Sequence, residues 1–379
     1  MKIILLLLIL INFHLSAQSV KIDASNKTVK INIVNKIDTS NQKIKNLYLF
    51  INDYMNQDTI SNEYWNPKYK TISKYNYNSF IDWIWRSKSP AWIKQHFSIK
   101  LVELDTLSDT LAYFKLFLYS NSDTINVIPN YNNVYKYYIN KINGKYYLDN
   151  CKEYETRNFI SYKTKNIYFH LSPLLIIDTL QMIKASNQLD DLCKSLNRKP
   201  PDSPFNYYMC SSENEMNIIC NIVMWDGRQG GFTDTEEKFV VSITKNVFYQ
   251  HEFIHILLGK GAPCFFLSEG IATLYGGPSQ FTTYQEGLNQ LKECYQTGKC
   301  NFDNLYDRKI SNAQNSNPTY IFAAAFCQYL IETLGLKKFY ELYYDKDITT
   351  LNFLEKVKEY THKTKEEIKT GIEKIILNN

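Results

Sequence analysis

The chain has 379 residues, 44% of them hydrophobic, which exceeds what one ordinary core needs and predicts a globular protein of two domains. Its formal charge is only +5, with Lys and Asp/Glu intermixed rather than blocked, so no basic stripe of the kind that binds nucleic acid is present.

The first residues, MKIILLLLILINFHLSAQSV, place one cation at Lys2, an apolar run from Ile3 to Leu10 and a small-residue end at Leu15-Ser16-Ala17. That is the build of a secretory signal, with cleavage expected after Ala17. The apolar stretch falls short of the roughly 20 residues a spanning helix needs, and no later run is expected to span. No cysteine stands near the cleavage point to carry a lipid. The mature protein is therefore expected to be secreted or periplasmic, with no stable membrane insertion. Export allows disulfides among the eight cysteines. Cys294 with Cys300, and Cys210 with Cys220 across an expected hairpin, are the candidate pairs; buried free thiols are the alternative.

After the signal, KIKNLYLFINDYM sets Ile44, Leu47, Tyr48, Ile51 and Met55 at helical spacing, and YNSFIDWIWR (77–86) predicts a second helix. From His96 the pattern becomes alternating: FSIKLVEL, TLAYFKLFLY, VYKYYINKI and KYYLDN read as strands, with Asn143-Gly144 as a hairpin turn. Helices followed by an antiparallel meander predict a small α+β roll over residues 18–155. Its role is not legible, and its tyrosine richness suits half-buried strands.

A second domain is expected over residues 160–379. NIYFHLSP reads as its first strand, and Ser172-Pro173 as the start of a long helix. FNYYMC and MNIICNIVMW read as strands, GRQGGFTD as a glycine-rich turn, and EKFVVSI (237–243) as a short strand. Pro318 opens a helix closed by Gly335, and Thr364 with Glu367 forms a capping box.

Between these lies HEFIH. In a helix from about Val247 to Leu258, His251 and His255 stand one turn apart on one face, so both imidazoles can reach a single ion. Glu252, beside the first histidine, is placed to act on a water rather than on the metal. Zinc lowers the pKa of water to roughly 7, and a glutamate so placed takes the proton and passes it to a leaving amine.

A catalytic zinc takes a third protein ligand and leaves one position open. Glycine and histidine three and six residues after His255 would supply it in one arrangement, but Leu258 and Gly261 stand there. A cysteine in a Gly-Cys-Leu context is also absent. Downstream, FLSEGIA offers Glu269. The Gly259-Lys260-Gly261 break and Pro263 let a second helix return and aim that acid at the histidines, with Gly270 and Ala272 permitting close approach. The remaining histidines, His14, His96, His170 and His362, are read as structural.

HEFIH followed by FLSEGIA resembles the gluzincin metallopeptidases of the thermolysin and aminopeptidase type. The likeness is to a short bacterial branch whose third-ligand motif reads Trp/Phe-Leu-x-Glu-Gly-x-Ala; Phe266, Leu267, Glu269, Gly270 and Ala272 match it. YIFAAAFCQYL is similar to that branch's Tyr-x-x-Ala-Gly-x-Phe-x-x-Tyr-Leu helix, with Ala324 in place of the glycine. The likeness spans residues 160–379, most closely 246–340.

It implies an α+β protein whose second domain is mainly helical with a small sheet, and a Zn2+ ion on His251, His255 and Glu269. Glu252 becomes the general base and Tyr320 the hydroxyl that stabilises the oxyanion. It also implies that EKFVVSI is an edge strand on which an extended peptide pairs. The expected function is an exported zinc metallopeptidase acting on peptide or protein substrates. No anchor for a substrate's terminal amine is found, which favours an endopeptidase. The alternative is a peptidase-like domain that binds zinc without turnover.

Overall fold

In a computed structural model of the chain, residues 32–33, 37–59, 61–71, 90–120, 132–224, 230–243, 246–279, 282–308 and 317–378 are described. The signal segment and the helix expected at 77–86 lie outside them. The class is α+β, as the sequence predicts.

A two-residue strand, β1 (Asn32–Ile33), precedes the helix α1 (Gln42–Met55). Asn41 starts that helix by accepting hydrogen bonds from the backbone N–H groups of Lys43 and Ile44. Its Leu47, Ile51, Tyr54 and Met55 are buried, one stripe at helical spacing. The helix α2 (Pro90–His96) runs directly into the meander β2 (Phe97–Thr106), β3 (Leu111–Ser120), β4 (Asn132–Ile142) and β5 (Lys145–Asp149). Asn143 and Gly144 both take positive φ, 50° and 83°, the geometry a tight hairpin requires. Alternate residues, among them Ile99, Leu101, Phe114, Leu116, Tyr137 and Ile139, meet α1 in one core. At the end of β5 the fully buried Asp149 carboxylate accepts hydrogen bonds from Asn66, Lys68, Tyr69 and Tyr154. Those donors are what allow a charge to sit there.

Past α3 (Lys152–Glu155) a second sheet begins with the hairpin β6 (Ile160–Lys163) and β7 (Ile167–Leu171). The helix α4 (Thr179–Ser195) carries the chain to β8 (Phe205–Met209), parallel to β7. That helix does not start at Ser172-Pro173. The Ser172 hydroxyl accepts from the Leu174 N–H within a turn, and the cap is Asp178, whose side chain accepts from the Leu180 N–H.

The stretch MNIICNIVMW is not one strand. Ser212 accepts from the Glu215 N–H and opens α5 (Glu213–Ile219), then Asn221 turns the chain at φ 66° into β9 (Ile222–Met224). β9 pairs with β4 of the first sheet. Residues up to 154 with 217–226 thus form one unit, and 155–216 with 227–379 the other, so a segment placed wholly in the second domain by sequence belongs to the first. Cys294 and Cys300 are joined by a disulfide, as expected, while the Cys210–Cys220 pair expected from sequence falls across the two units.

The second sheet is completed by β10 (Gly231–Asp234), antiparallel to β11 (Phe239–Ser242), in the order β10-β11-β8-β7-β6. β11 therefore has a neighbour on each side. Among the described residues the edges of this sheet are β10 and β6, and the 237–243 segment expected at an edge is not at one.

Helices supply the rest: α6 (Gln250–Leu258), α7 (Phe265–Gly276), α8 (Tyr284–Gln296), α9 (Phe302–Tyr306), α10 (Asn317–Tyr343), α11 (Phe353–Thr361) and α12 (Lys365–Asn378). Gly335, at φ 75°, breaks α10 where a helix end was expected. By length and mean hydropathy α10 matches a membrane span, contrary to the expectation that no later run would; its residues from Ile321 to Cys327 are core. His362 follows α11 as its left-handed cap, a structural role as expected.

α10 packs directly against α7. A Cβ on Gly270 would stand 2.5 Å from the Ala323 carbonyl oxygen and 2.7 Å from the Cys327 Sγ, and that thiol donates to the Phe266 carbonyl at 3.2 Å. Gly270 thus serves the contact with α10, not the contact with α6 for which the sequence suggested it. Alanine is worth about 1 kcal/mol more than glycine in an open helix. At this position the backbone clash should outweigh that gain, and Gly270→Ala is expected to lose about 1–3 kcal/mol in urea unfolding. A stabilised variant would show that the two helices do not approach this closely.

Candidate metal centre

The helix α6 starts three residues later than its sequence pattern suggested. Asn246 accepts from the Phe248 N–H, which holds Val247 and Phe248 outside the helix. His251 and His255 then fall on one face, their ring centroids 5.1 Å apart.

The chain leaves α6 through Gly259, at φ 63°, and re-enters a helix at Phe265. At the far end of α7, a Cβ on Gly276 would lie 2.4 Å from the His251 backbone nitrogen. The start of α7 follows the end of α6, and its end touches the start of α6, so the two helices run antiparallel. This carries Glu269 to the imidazoles: its Oε2 is 3.3 Å from His251 Nε2 and 3.6 Å from His255 Nε2.

One ligand atom from each of the three residues lies within 4.8 Å of the others, a group that could hold a metal ion. The chemistry of the donors agrees. His251 Nδ1 is 2.8 Å from the Gly277 carbonyl oxygen. A carbonyl can only accept, so Nδ1 carries a proton, and Nε2, 3.3 Å from the Glu269 carboxylate, is the ring nitrogen left to face an ion. Gly277 caps α7 at φ 80°, and a Cβ there would meet the Thr282 carbonyl oxygen at 2.2 Å. Glycine at this position is a condition for the carbonyl to reach the ring.

Burial alone would push His255 toward its neutral form. The Glu269 carboxylate outweighs it and raises the imidazole pKa to about 9. Glu269 is likewise disfavoured as an anion by burial, yet His255 and His251 hold its pKa far below the usual carboxylate range. The acid thus stays ionised and draws positive charge between itself and the rings.

Glu252, 8% exposed, lies beside this group and not in it. Its Oε2 is 2.5 Å from the Thr233 hydroxyl on β10. Tyr320, near the start of α10, places its ring 6.4 Å from that of His251 and 5.2 Å from that of Phe265. Burial, then the carboxylates of Glu269 and Glu252, push its hydroxyl above the ordinary value, so it stays protonated at neutral pH. It makes no hydrogen bond with the described residues.

His251, Glu252, His255, Glu269 and Tyr320 therefore all come together. His170 stands apart from them, bonding Ser161 and Asn206 on the second sheet, and His96 belongs to the other unit. Thr233 and Gly277 were not found from sequence. The first lies in GRQGGFTD, which the sequence pattern marks only as a glycine-rich turn. Nothing local marks a backbone carbonyl as a histidine partner. No protein-family model matches the chain, nor does any curated protein.

Because a proton on His255 competes with a cation, apparent affinity for a divalent metal should rise about tenfold per pH unit up to pH 9 and level off above it. Titration calorimetry from pH 6 to 10 measures this. Glu269→Ala should lower the affinity more than about 100-fold, beyond what loss of an outer partner costs. A pH-independent affinity, or full binding by the variant, would exclude this ligand set.

Proposed function

We propose that the chain is an exported, zinc-dependent metallopeptidase, with endopeptidase action favoured. The observation that carries this reading is the convergence of two imidazoles and a carboxylate on one point, flanked by a second carboxylate and a phenol. A site that merely held an ion would have no use for the second carboxylate and the phenol, and a structural zinc would call for a fourth protein ligand. The gluzincin likeness of HEFIH, FLSEGIA and the Tyr320 helix supports the same roles for the same residues.

Zinc held by His251, His255 and Glu269 would supply Lewis-acid activation of a water and of the scissile carbonyl. Glu252 takes the proton as the water attacks and returns it to the departing amine nitrogen, so no free amide anion is formed. Tyr320 donates its hydroxyl hydrogen to the carbonyl oxygen as negative charge grows there. Its low acidity suits a donor that never gives up the proton.

The edge strand β10 adjoins this group through Gly231, which lies against Tyr249 and Glu252. An extended substrate chain adding to that edge by backbone hydrogen bonds would pass over Glu252. Recognition through the backbone tolerates many side chains and suits internal positions of a peptide.

Cleavage of a diverse peptide library with and without a chelator, read by mass spectrometry, is the direct test. Products should appear with zinc, vanish with chelator and return on adding zinc. Glu252→Gln is expected to retain one zinc per chain and lose hydrolysis, and Tyr320→Phe to lower kcat by about 100- to 1,000-fold with little change in KM. Zinc-loaded protein that cuts nothing would favour a non-catalytic peptide-binding role, and full activity in Glu252→Gln would refute the mechanism.

A further inference from the structure

The carboxylate of Glu252 has two oxygens, and a proton-transfer role needs one of them aimed at the reacting water. A glutamate on a helix surface has three side-chain torsions and no intrinsic reason to keep one orientation. What restrains it here comes from another element.

Thr233 Oγ1 stands 2.5 Å from Glu252 Oε2 and 3.2 Å from the Glu252 backbone oxygen. A threonine hydroxyl has one proton to give, and the shorter contact, to the side-chain oxygen, takes it. Gly231, two residues earlier on the same strand, faces the same way. A Cβ there would be 3.2 Å from Glu252 Cγ and 2.5 Å from the Tyr249 ring. Alternation along β10 thus turns a bare backbone and then a hydroxyl toward one side chain. The glycine lets the strand come close, and the threonine bonds what it finds there.

We propose that Thr233 is the positioning residue for Glu252: it fixes Oε2 and so leaves Oε1 as the proton-accepting oxygen. The proposal rests on the peptidase reading for its kinetic consequence and on geometry alone for its structural one. Because Thr233 lies on the edge strand, a peptide added along β10 would be held by the same element that holds the base. Substrate register and base orientation would then be set together.

The test uses the full, zinc-loaded chain. Thr233→Val keeps the side-chain shape and removes the hydroxyl; Thr233→Ser restores it; Thr233→Ala replaces the valine variant if that does not fold. On a peptide the wild type cuts, the valine variant should lose about 10- to 100-fold in kcat with KM within about twofold, and serine should recover most of the loss. Zinc content should stay at the wild-type level. Crystal structures of the zinc-loaded variants give the second reading. The Glu252 carboxylate should keep one orientation with serine, and rotate away or split between orientations with valine.

Wild-type kcat in the valine variant, or an unmoved carboxylate in its structure, would overturn the proposal. A serine variant as impaired as valine would also overturn it, since the hydroxyl would not be what matters. If the wild type cuts no peptide, the peptidase reading falls, and the carboxylate orientation alone decides whether Thr233 positions it.

Discussion

One carboxylate, facing two imidazoles, organises the second unit. Glu269 is a partly buried acid on a helix whose buried positions are apolar apart from Thr273, and an isolated charge so placed is costly. It is tolerated because both rings, of His251 and His255, stand within 3.6 Å of it and the carboxylate holds His255 toward its protonated form. Removing either side of that arrangement would leave a desolvated charge without its complement, a larger penalty than the intact group's net contribution. The antiparallel return of α7 onto α6 is therefore demanded by electrostatics as much as by packing.

That return depends on glycines used for different ends. Gly259 reverses the chain in a left-handed conformation, and Gly276 lets the end of α7 rest on the first turn of α6. Gly270 admits α10, which brings Tyr320 toward the same point. A side chain at Gly270 or Gly276 would displace a helix that carries a member of the group, and one at Gly259 would strain the turn between them. Among the described residues of the first unit the buried Asp149 is fully supplied with donors and reads as a structural hub.

Much of this was legible in the sequence, because periodicity and turn chemistry are local. The α1 stripe, the Asn143-Gly144 hairpin, the break at Gly335 and the Thr364–Glu367 box all follow from neighbours within a few residues. His251, His255 and Glu269 were legible because helical spacing and a glycine break constrain where they can point. Three features were hidden because they depend on distant partners. Whether β10 or β11 lies at the edge is decided by β8, more than twenty residues upstream. The apolar run after Cys210 resembles a strand, but Ser212 and two early glutamates tip its first half into a helix, and its second half pairs with β4, far back in the chain. The hydroxyl of Thr233 gains its meaning only when the sheet edge meets α6.

The account stands or falls on how an ion is held. Zinc-edge X-ray absorption on the purified, zinc-loaded chain, compared with Glu269→Ala, reads this most directly. The prediction is one zinc per chain, with two imidazole nitrogens at about 2.0–2.1 Å and a carboxylate oxygen that disappears from the shell in the variant. A wild-type protein that takes up no zinc, or an identical shell in both proteins, would contradict it.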